Sequence, residues 1–152
     1  MKRLTLLFAA IIAAVSVNAA ATKIYRGNST YVGDVLYTFD GKYLYSGNST
    51  YAGNVLYTWD GKKLYKGNST YTGDIVMTYD GKNVFQGNST YTGSILYTWD
   101  GKFFYQGNTT YTGSIIRTFV GGKIYKGNST YTGDILYTVD GVIPAVLLAL
   151  LI

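Results

Sequence analysis

A repeat of twenty residues constrains this chain more than any other feature of its sequence. The unit begins Gly-Asn-Ser/Thr-Thr-Tyr and recurs without insertion, opening at Gly27, Gly47, Gly67, Gly87, Gly107 and Gly127. A fixed period of this length is typical of repeat architectures, in which each unit is one supersecondary element that packs against its neighbours. Tyrosine and β-branched residues dominate each unit and glycines punctuate it, so the repeat predicts β structure.

Each repeat carries Asp-Gly between two apolar runs. Asp-Gly suits the two positive-φ positions of a type I′ turn, which joins the strands of a two-residue hairpin. In the fifth hairpin Gly122 can move the turn by one residue, because valine disfavours positive φ. The sequence thus predicts five complete hairpins, turning at Asp40-Gly41, Asp60-Gly61, Asp80-Gly81, Asp100-Gly101 and Val120-Gly121.

The two-residue turn fixes which side chains share a face of the hairpin. It pairs Phe39 with Lys42 and sorts the strands into two largely apolar faces. A hairpin that is apolar on both sides must be covered on both sides or line a closed structure. In the first hairpin one face carries Val35, Tyr37, Phe39 and Leu44, and the other Leu36, Thr38 and Tyr45.

The two ends of the array are incomplete in a complementary way. Residues 23–26 have the sequence of a second hairpin strand, and residues 134–139 have that of a first strand. If they pair, a sixth hairpin forms and no free strand edge remains. We therefore expect an all-β, closed six-petal ring of β-hairpins over residues 21–141. The alternative is an open rod of repeats, which would need polar capping units.

Residues 1–20 read as a secretory signal peptide. Lys2 and Arg3 precede an apolar run that ends in small residues, with cleavage expected after Ala19 or Ala20. Removing both cations lowers the formal charge from +5 to +3. The alternative is a membrane-spanning helix. We expect an exported chain that is periplasmic, outer-membrane-associated or extracellular.

The repeat stops at Gly141, and residues 142–152 are apolar apart from Pro144. Proline suits the start of a helix, and an all-apolar helix needs an apolar host. At about 1.5 Å per residue this segment is too short to cross a bilayer of about 30 Å alone. The host is the ring centre, a membrane surface or a partner. For the ring centre, the expected plug residues are Ile143, Val146, Leu147, Leu150 and Leu151.

Composition limits the chemistry that the chain can perform. It contains no cysteine, histidine or glutamate, which leaves aspartate and lysine as the groups for acid–base or nucleophilic catalysis. The aspartates lie at hairpin turns and entries and match no dense calcium loop. Lysine and arginine are spread over the repeats rather than clustered, unlike a nucleic-acid-binding surface. We expect no enzyme activity, no cofactor, no metal and no nucleic-acid partner.

The repeated aromatic residues and lysines beside the turns could still bind a ligand. An aromatic residue precedes each turn, with a lysine expected directly opposite in four copies. These pairs could form platforms for sugars or lipid headgroups, or they could be ordinary cross-strand pairs that stabilise the sheet. The aromatic residues are Phe39, Trp59, Tyr79, Trp99 and Phe119, and the lysines are Lys42, Lys62, Lys82 and Lys102. The six Asn-x-Ser/Thr sequons of the connectors suit turn chemistry, with glycosylation as the alternative.

The repeated string Gly-Asn-Ser-Thr-Tyr-x-Gly-Asp-Ile-Leu-Tyr-Thr-x-Asp-Gly-Lys resembles the bacterial β-flower family over residues 23–152. The resemblance implies hairpin petals around a shallow barrel. That shape is similar to the C-terminal domain of Tubby-like proteins, in which a hydrophobic helix threads a closed barrel and the outer surface can bind phosphoinositide. By this likeness residues 144–152 would be the threaded helix. The basic residues of the lipid site have no counterparts here, and repeat five departs from the pattern at Arg117 and Val120.

The sequence favours a structural or membrane-associated binding module of the cell envelope that contacts lipid. The alternative is a carbohydrate-binding module that stacks sugars on Trp59 and Trp99. A third possibility is an open repeat rod of the MORN or cell-wall-binding type.

Overall fold

The computed structural model describes residues 20–152, so residues 1–19 of the predicted signal peptide lie outside it. Over these residues the chain forms twelve antiparallel strands, one short α-helix and a three-residue 3-10 helix in each of the six connectors. Among residues 20–152, no helix has the length and hydropathy needed to span a membrane. The strands are Thr22–Arg26 (β1), Val35–Phe39 (β2), Tyr43–Ser46 (β3), Val55–Trp59 (β4), Lys63–Lys66 (β5), Ile75–Tyr79 (β6), Asn83–Gln86 (β7), Ile95–Trp99 (β8), Phe103–Gln106 (β9), Ile115–Val120 (β10), Lys123–Lys126 (β11) and Ile135–Asp140 (β12).

The strands form a closed barrel in which each strand pairs with the strands before and after it in the sequence, and the first strand pairs with the last. β1 pairs with β2 on one side and with β12 on the other, where Ile24 faces Val139. The Gly27 N–H donates to the Leu136 carbonyl oxygen at 2.8 Å, the same bond that Gly47 makes to Leu36 inside the array. The predicted closed ring is confirmed, and the open rod is excluded.

The hairpin turns lie one residue later than the sequence predicts. Phe39 faces Leu44 rather than Lys42, and the Asp40 N–H donates to the Tyr43 carbonyl oxygen at 3.2 Å. The turn therefore centres on Gly41 and Lys42, and of these two only Gly41 has a positive φ. The shift occurs because the Asp40 carboxylate accepts the N–H groups of Lys42 and Tyr43, which makes Asp40 the first turn residue rather than the second.

The fifth hairpin turns at Gly121-Gly122, as the alternative for that repeat predicts. Both glycines have positive φ, at 59° and 72°, which are the signs of a type I′ turn, and Val120 pairs with Lys123. A shift of one residue at the turn moves the partner by two positions, so the side chains near the turn stay on their predicted faces. Val35 does not, because a register shift between β1 and β2 pairs it with Tyr25, while Tyr37 pairs with Ile24.

The inner face of the barrel is apolar, and one position of the repeat forms its central layer. These side chains are 0–3% exposed: Ile24, Leu44, Leu64, Val84, Phe104 and Ile124. On the other face a buried threonine hydroxyl binds the carbonyl oxygen of the glycine that opens the next connector, as Thr38 does to Gly47 at 2.8 Å. Thr138 makes this bond to Gly27 at 2.7 Å, so the seam between the chain ends reproduces the contacts of the internal repeats.

The C-terminal segment fills the barrel. A helix runs over Ala145–Ala149 (α1), with Pro144 as its N-cap, and Val146 and Leu147 are 0% and 1% exposed. The segment enters beside β1, where the Thr22 hydroxyl donates to the Val142 carbonyl oxygen at 2.6 Å. Gly141 has φ 121°, and a Cβ there would collide with Thr22, so only glycine fits this entry. The fold is thus a barrel of six hairpins with a short C-terminal helix inside.

Candidate functional site

Consecutive strands alternate in direction, so the barrel has two different ends. The Asp-Gly turns lie at one end, which we call the turn end. The six connectors between hairpins, residues 27–34 and their equivalents, lie at the other, the connector end. The connector end repeats one surface six times, whereas the turn end carries five turns and the seam between β1 and β12.

The connectors hold their tyrosines outward. In the second connector the Ser49 hydroxyl accepts the Tyr51 N–H at 3.1 Å, and the Tyr51 carbonyl accepts the Asn54 N–H at 2.9 Å. The Tyr51 ring lies against Gly53, where a Cβ would stand 2.5 Å from the ring atom Cε1. Glycine two residues after each tyrosine lets the ring lie against the backbone, and a side chain there would displace the ring.

Six tyrosines consequently surround the connector end with their rings in solvent. Each is 69–74% exposed, far more than a large aromatic side chain usually is. They are Tyr31, Tyr51, Tyr71, Tyr91, Tyr111 and Tyr131. The sequence analysis did not single them out, although a tyrosine that always precedes a glycine by two residues was a visible signal.

The predicted aromatic platforms are not exposed, and that part of the prediction is wrong. Phe39 belongs to the buried core, while Trp59, Tyr79, Trp99 and Phe119 are half-buried and pack against it. These residues share the inner face with Leu44 and its equivalents, so their rings line the barrel near the turn end. The Trp99 and Phe104 rings, for example, lie with their centroids 4.5 Å apart.

The lysines do not face these aromatic residues either. Lys42, Lys62, Lys82 and Lys102 are exposed in the turns. Their backbone carbonyls instead accept the N–H of the aromatic residue in the next hairpin, as Lys42 does from Trp59 at 2.7 Å. The Lys42 ammonium lies 4.8 Å from the centroid of its neighbour Tyr43. The predicted aromatic–lysine pairs are thus not formed within the hairpins, and ligand binding by these residues stays a prediction.

The predicted plug residues lie along the inside of the barrel. Val146, Leu147 and Leu151 are buried, and Ile143 and Leu150 are partly buried against the core. A cavity of about 190 Å³ remains between the tail and the wall, lined in part by Tyr37, Tyr57 and Leu150. The tail is therefore not available on the surface as an anchor for a membrane or a partner.

The turn aspartates bind the backbone of their own hairpin, and Asp40, Asp60 and Asp100 also accept from a tyrosine hydroxyl. The Asp40 carboxylate accepts from the Tyr43 and Lys42 N–H groups at 2.7 and 2.9 Å and from the Tyr45 hydroxyl at 2.7 Å. Partial burial acts to raise the pKa of Asp40, but these hydrogen bonds outweigh it and hold the pKa below its usual 3.8. Burial, followed by the hydrogen bond to Asp40, raises the pKa of Tyr45 to about 12.

These shifts predict how stability depends on pH. A carboxyl with a lowered pKa stabilises the fold above its unfolded pKa, so the free energy of unfolding should fall as pH drops below about 4. A tyrosine with a raised pKa stabilises the fold below its unfolded pKa, so stability should also fall between pH 10.0 and about 12. Urea midpoints measured across pH test both limits, and a midpoint that stays flat above pH 10 would contradict the second.

The third repeat supplies the control for this pH dependence. Phe85 stands there in place of the tyrosine, and it is buried without a hydroxyl to bind Asp80. Tyr45→Phe, Tyr65→Phe and Tyr105→Phe therefore copy a residue that the fold already accepts. The triple variant should lose less stability between pH 10 and 12 than the unmodified chain does.

The described residues offer little to a metal or a reaction. Within residues 20–152, histidine, cysteine and acidic side chains do not gather in groups of three or more that could hold a metal ion. The turn aspartates Asp40, Asp60, Asp80 and Asp100 each lie in a different hairpin, and the fifth hairpin has Val120 instead. The expectation that the chain is not an enzyme stays a prediction.

Comparison with known families agrees with this architecture. A family model described as a 6-fold beta flower protein matches residues 10–100 and 45–144, which together cover most of the chain. The protein belongs to this family of six-fold beta flower proteins, as its repeat predicts. Comparisons with curated proteins and with solved structures found no significant match. The likeness to the Tubby-like domain stays a prediction.

Proposed function

We propose that this protein is an exported, non-catalytic binding module of the cell envelope that docks its connector end against a membrane surface. The observation that carries the proposal is the set of six outward tyrosines at that end of the barrel. The expected signal peptide supports a location in the periplasm, at the outer membrane or outside the cell.

Tyrosine suits the boundary between membrane and water, because its ring enters the headgroup region while its hydroxyl stays hydrated. The residue that follows each tyrosine is also exposed and varies: it is Val32 in the first connector, Ala52 in the second and threonine in the rest. A surface that keeps its aromatic ring but varies the neighbouring side chain fits a fluid interface better than a ligand held by fixed hydrogen bonds.

Because the barrel presents six equivalent tyrosines, each one can contact the membrane weakly while the protein as a whole still binds. Each tyrosine adds a small interfacial contribution, and a rigid barrel presents all six without further ordering cost. The connector carboxylates of Asp34, Asp74 and Asp134 are half-buried and accept hydrogen bonds from Ser29, Ser69 and Ser129, so they are not fully presented to an anionic membrane. The membrane contact is therefore built from the repeat and not from the tail.

The test is flotation of residues 20–152 with phosphatidylcholine vesicles. Replacing all six tyrosines with serine should reduce the vesicle-bound fraction by about tenfold or more, since the six contacts act together. The matched control replaces the exposed threonine before each tyrosine with serine and should bind as the unmodified chain does. These threonines are Thr30, Thr50, Thr70, Thr90, Thr110 and Thr130.

Two results would count against the membrane proposal. Equal vesicle binding by the serine variant would remove the tyrosines from the contact. Retention on insoluble polysaccharide without vesicle binding would replace the lipid surface with the carbohydrate alternative. In that case the sugars would stack on the connector tyrosines, because Trp59 and Trp99 line the barrel interior.

A further inference from the structure

Two cations face each other across one hairpin at the connector end. Arg117 on β10 and Lys126 on β11 are Cα partners. The same position pairs Tyr37 with Ser46, Tyr57 with Lys66, Met77 with Gln86 and Tyr97 with Gln106 in the other hairpins. Like charges directly opposite each other destabilise a sheet. Repeat five therefore departs from the pattern in a way that weakens the hairpin unless a negative group lies between the two side chains.

The surroundings of Arg117 leave part of its guanidinium unsatisfied. Its other neighbour across the sheet is Phe104, which is 1% exposed on the inner face. Nη1 donates to the Ile116 carbonyl oxygen at 2.7 Å, while Nε is buried and has no hydrogen-bond partner among residues 20–152. A buried charged group is stable when it is paired and fully hydrogen-bonded. The Nε donor of Arg117 thus lacks an acceptor among these residues.

A third cation lies on the same side of the barrel. Arg26 on β1 faces Tyr137 on β12, the strand that follows β11 around the barrel. Arg26 and Lys126 are exposed and stand two strands apart, about 10 Å at the usual spacing between strands. The nearest connector aspartates, Asp34 and Asp134, accept hydrogen bonds from Ser29 and Ser129. Neither carboxylate hydrogen-bonds to Arg26, Arg117 or Lys126.

We propose that Arg117 and Lys126, with Arg26 beside them, form a binding site for a phosphate-type anion. The planar guanidinium can donate to two oxygens of a phosphate at once, and the lysine ammonium adds a point charge. The site is single, although the fold is sixfold, because repeat five supplies both inner cations. The anion is free phosphate or the phosphate of a lipid headgroup, and the site does not depend on the membrane contact proposed above.

The other repeats provide variants that the fold already accepts. Arg117→Tyr restores the residue of four other hairpins and Lys126→Gln that of two, so both proteins should fold. Lys66→Gln is the matched control, because Lys66 occupies the position of Lys126 but faces Tyr57. In calorimetric titration with inorganic phosphate at constant ionic strength, Arg117→Tyr and Lys126→Gln should bind about tenfold more weakly or worse, and Lys66→Gln as the unmodified chain does.

Thermal melting gives a second, independent measurement. Phosphate should raise the Tm of the unmodified chain and leave that of Arg117→Tyr unchanged, because only binding to the folded state shifts the equilibrium. In chloride alone Arg117→Tyr should melt no lower than the unmodified chain, since it removes a repulsive pair. Equal phosphate binding by Arg117→Tyr, or an equal loss in Lys66→Gln, would overturn the site.

Vesicles distinguish the two sources of the anion. Adding phosphatidylglycerol to phosphatidylcholine vesicles should increase binding in an Arg117-dependent way if the site holds a headgroup. Phosphate binding without that increase assigns the site to a free anion. If neither phosphate nor phosphatidylglycerol distinguishes the unmodified chain from Arg117→Tyr, the proposal fails, whatever the six tyrosines contribute to vesicle binding.

Discussion

A chain that ends at Gly141 should fail to fold into the barrel. The removed segment includes Val146, Leu147, Leu148 and Leu151, which are 0–8% exposed. Burial of such side chains is worth about 1.5–3 kcal/mol each, so the four together contribute about 6–12 kcal/mol, against a total stability of about 5–15 kcal/mol for a domain. The empty barrel would also expose the inner face of all twelve strands. We expect loss of the β-sheet signal in circular dichroism and aggregation in size-exclusion chromatography.

The control for this truncation lies in the tail itself. Val142 is 87% exposed, so Val142→Ser should leave the urea midpoint unchanged. Leu147→Ala, at a site that is 1% exposed, should lower stability by about 2–5 kcal/mol and gives a graded measurement if the truncated chain cannot be purified. A truncated protein with an unchanged urea midpoint would show that the tail does not support the barrel.

Removing the first strand should have a comparably large effect by a different route. Deleting Thr22–Arg26 takes Ile24 out of the core and leaves β2 and β12 as open edges. Open edges template pairing with other chains, so the deletion variant should form oligomers or aggregates instead of monomers. Light scattering and size-exclusion chromatography measure the outcome, and a monomer as stable as the unmodified chain would contradict it.

A peptide can test whether the defect is the missing strand alone. A synthetic segment of residues 20–27 should add to the gap by strand complementation and restore the monomer. A peptide of the same composition in scrambled order should not, because it lacks the alternation that places Ile24 on the inner face. Failure of the correct peptide to restore the monomer would show that closure needs the covalent chain end.

The closed architecture was predictable because two independent signals agreed. The leading strand and the trailing strand of the array are complementary halves of one hairpin, and the apolar tail has the length to fill a barrel. The strands of four to six residues extend about 13–20 Å, and residues 144–152 in helical form extend about 12–14 Å, so the tail matches the depth of the barrel. Periodicity and length are properties that a sequence shows directly.

The turn position was not predictable from the Asp-Gly dipeptide alone. Asp-Gly can occupy the two central positions of a turn, or aspartate can precede the centre and bind the backbone beyond it. The observed choice depends on the hydrogen bonds of the Asp40 carboxylate to Lys42, Tyr43 and Tyr45, which join groups up to five residues apart. The fifth repeat has valine in place of the aspartate, and without that carboxylate its two glycines form the type I′ turn.

The candidate site was missed for a related reason. The aromatic residues beside the turns looked exposed because the predicted register placed lysines opposite them. The connector tyrosines were overlooked because tyrosine fits a half-buried strand, and only the folded connectors show that these rings are 69–74% exposed. The charge pair at Arg117 and Lys126 was visible as a departure from the repeat, but its meaning depends on which residues face each other.

The filled interior also limits how this gene can change. Recombination easily adds or removes tandem copies of a twenty-residue unit, and nothing within a single unit opposes such a change. A barrel with one hairpin fewer would be too narrow for the bulk of Val146 and Leu147, and one with a hairpin more would leave a void around them, because barrel diameter grows with strand number. Residues 145–152 therefore favour a barrel of six hairpins, although they are not part of any repeat.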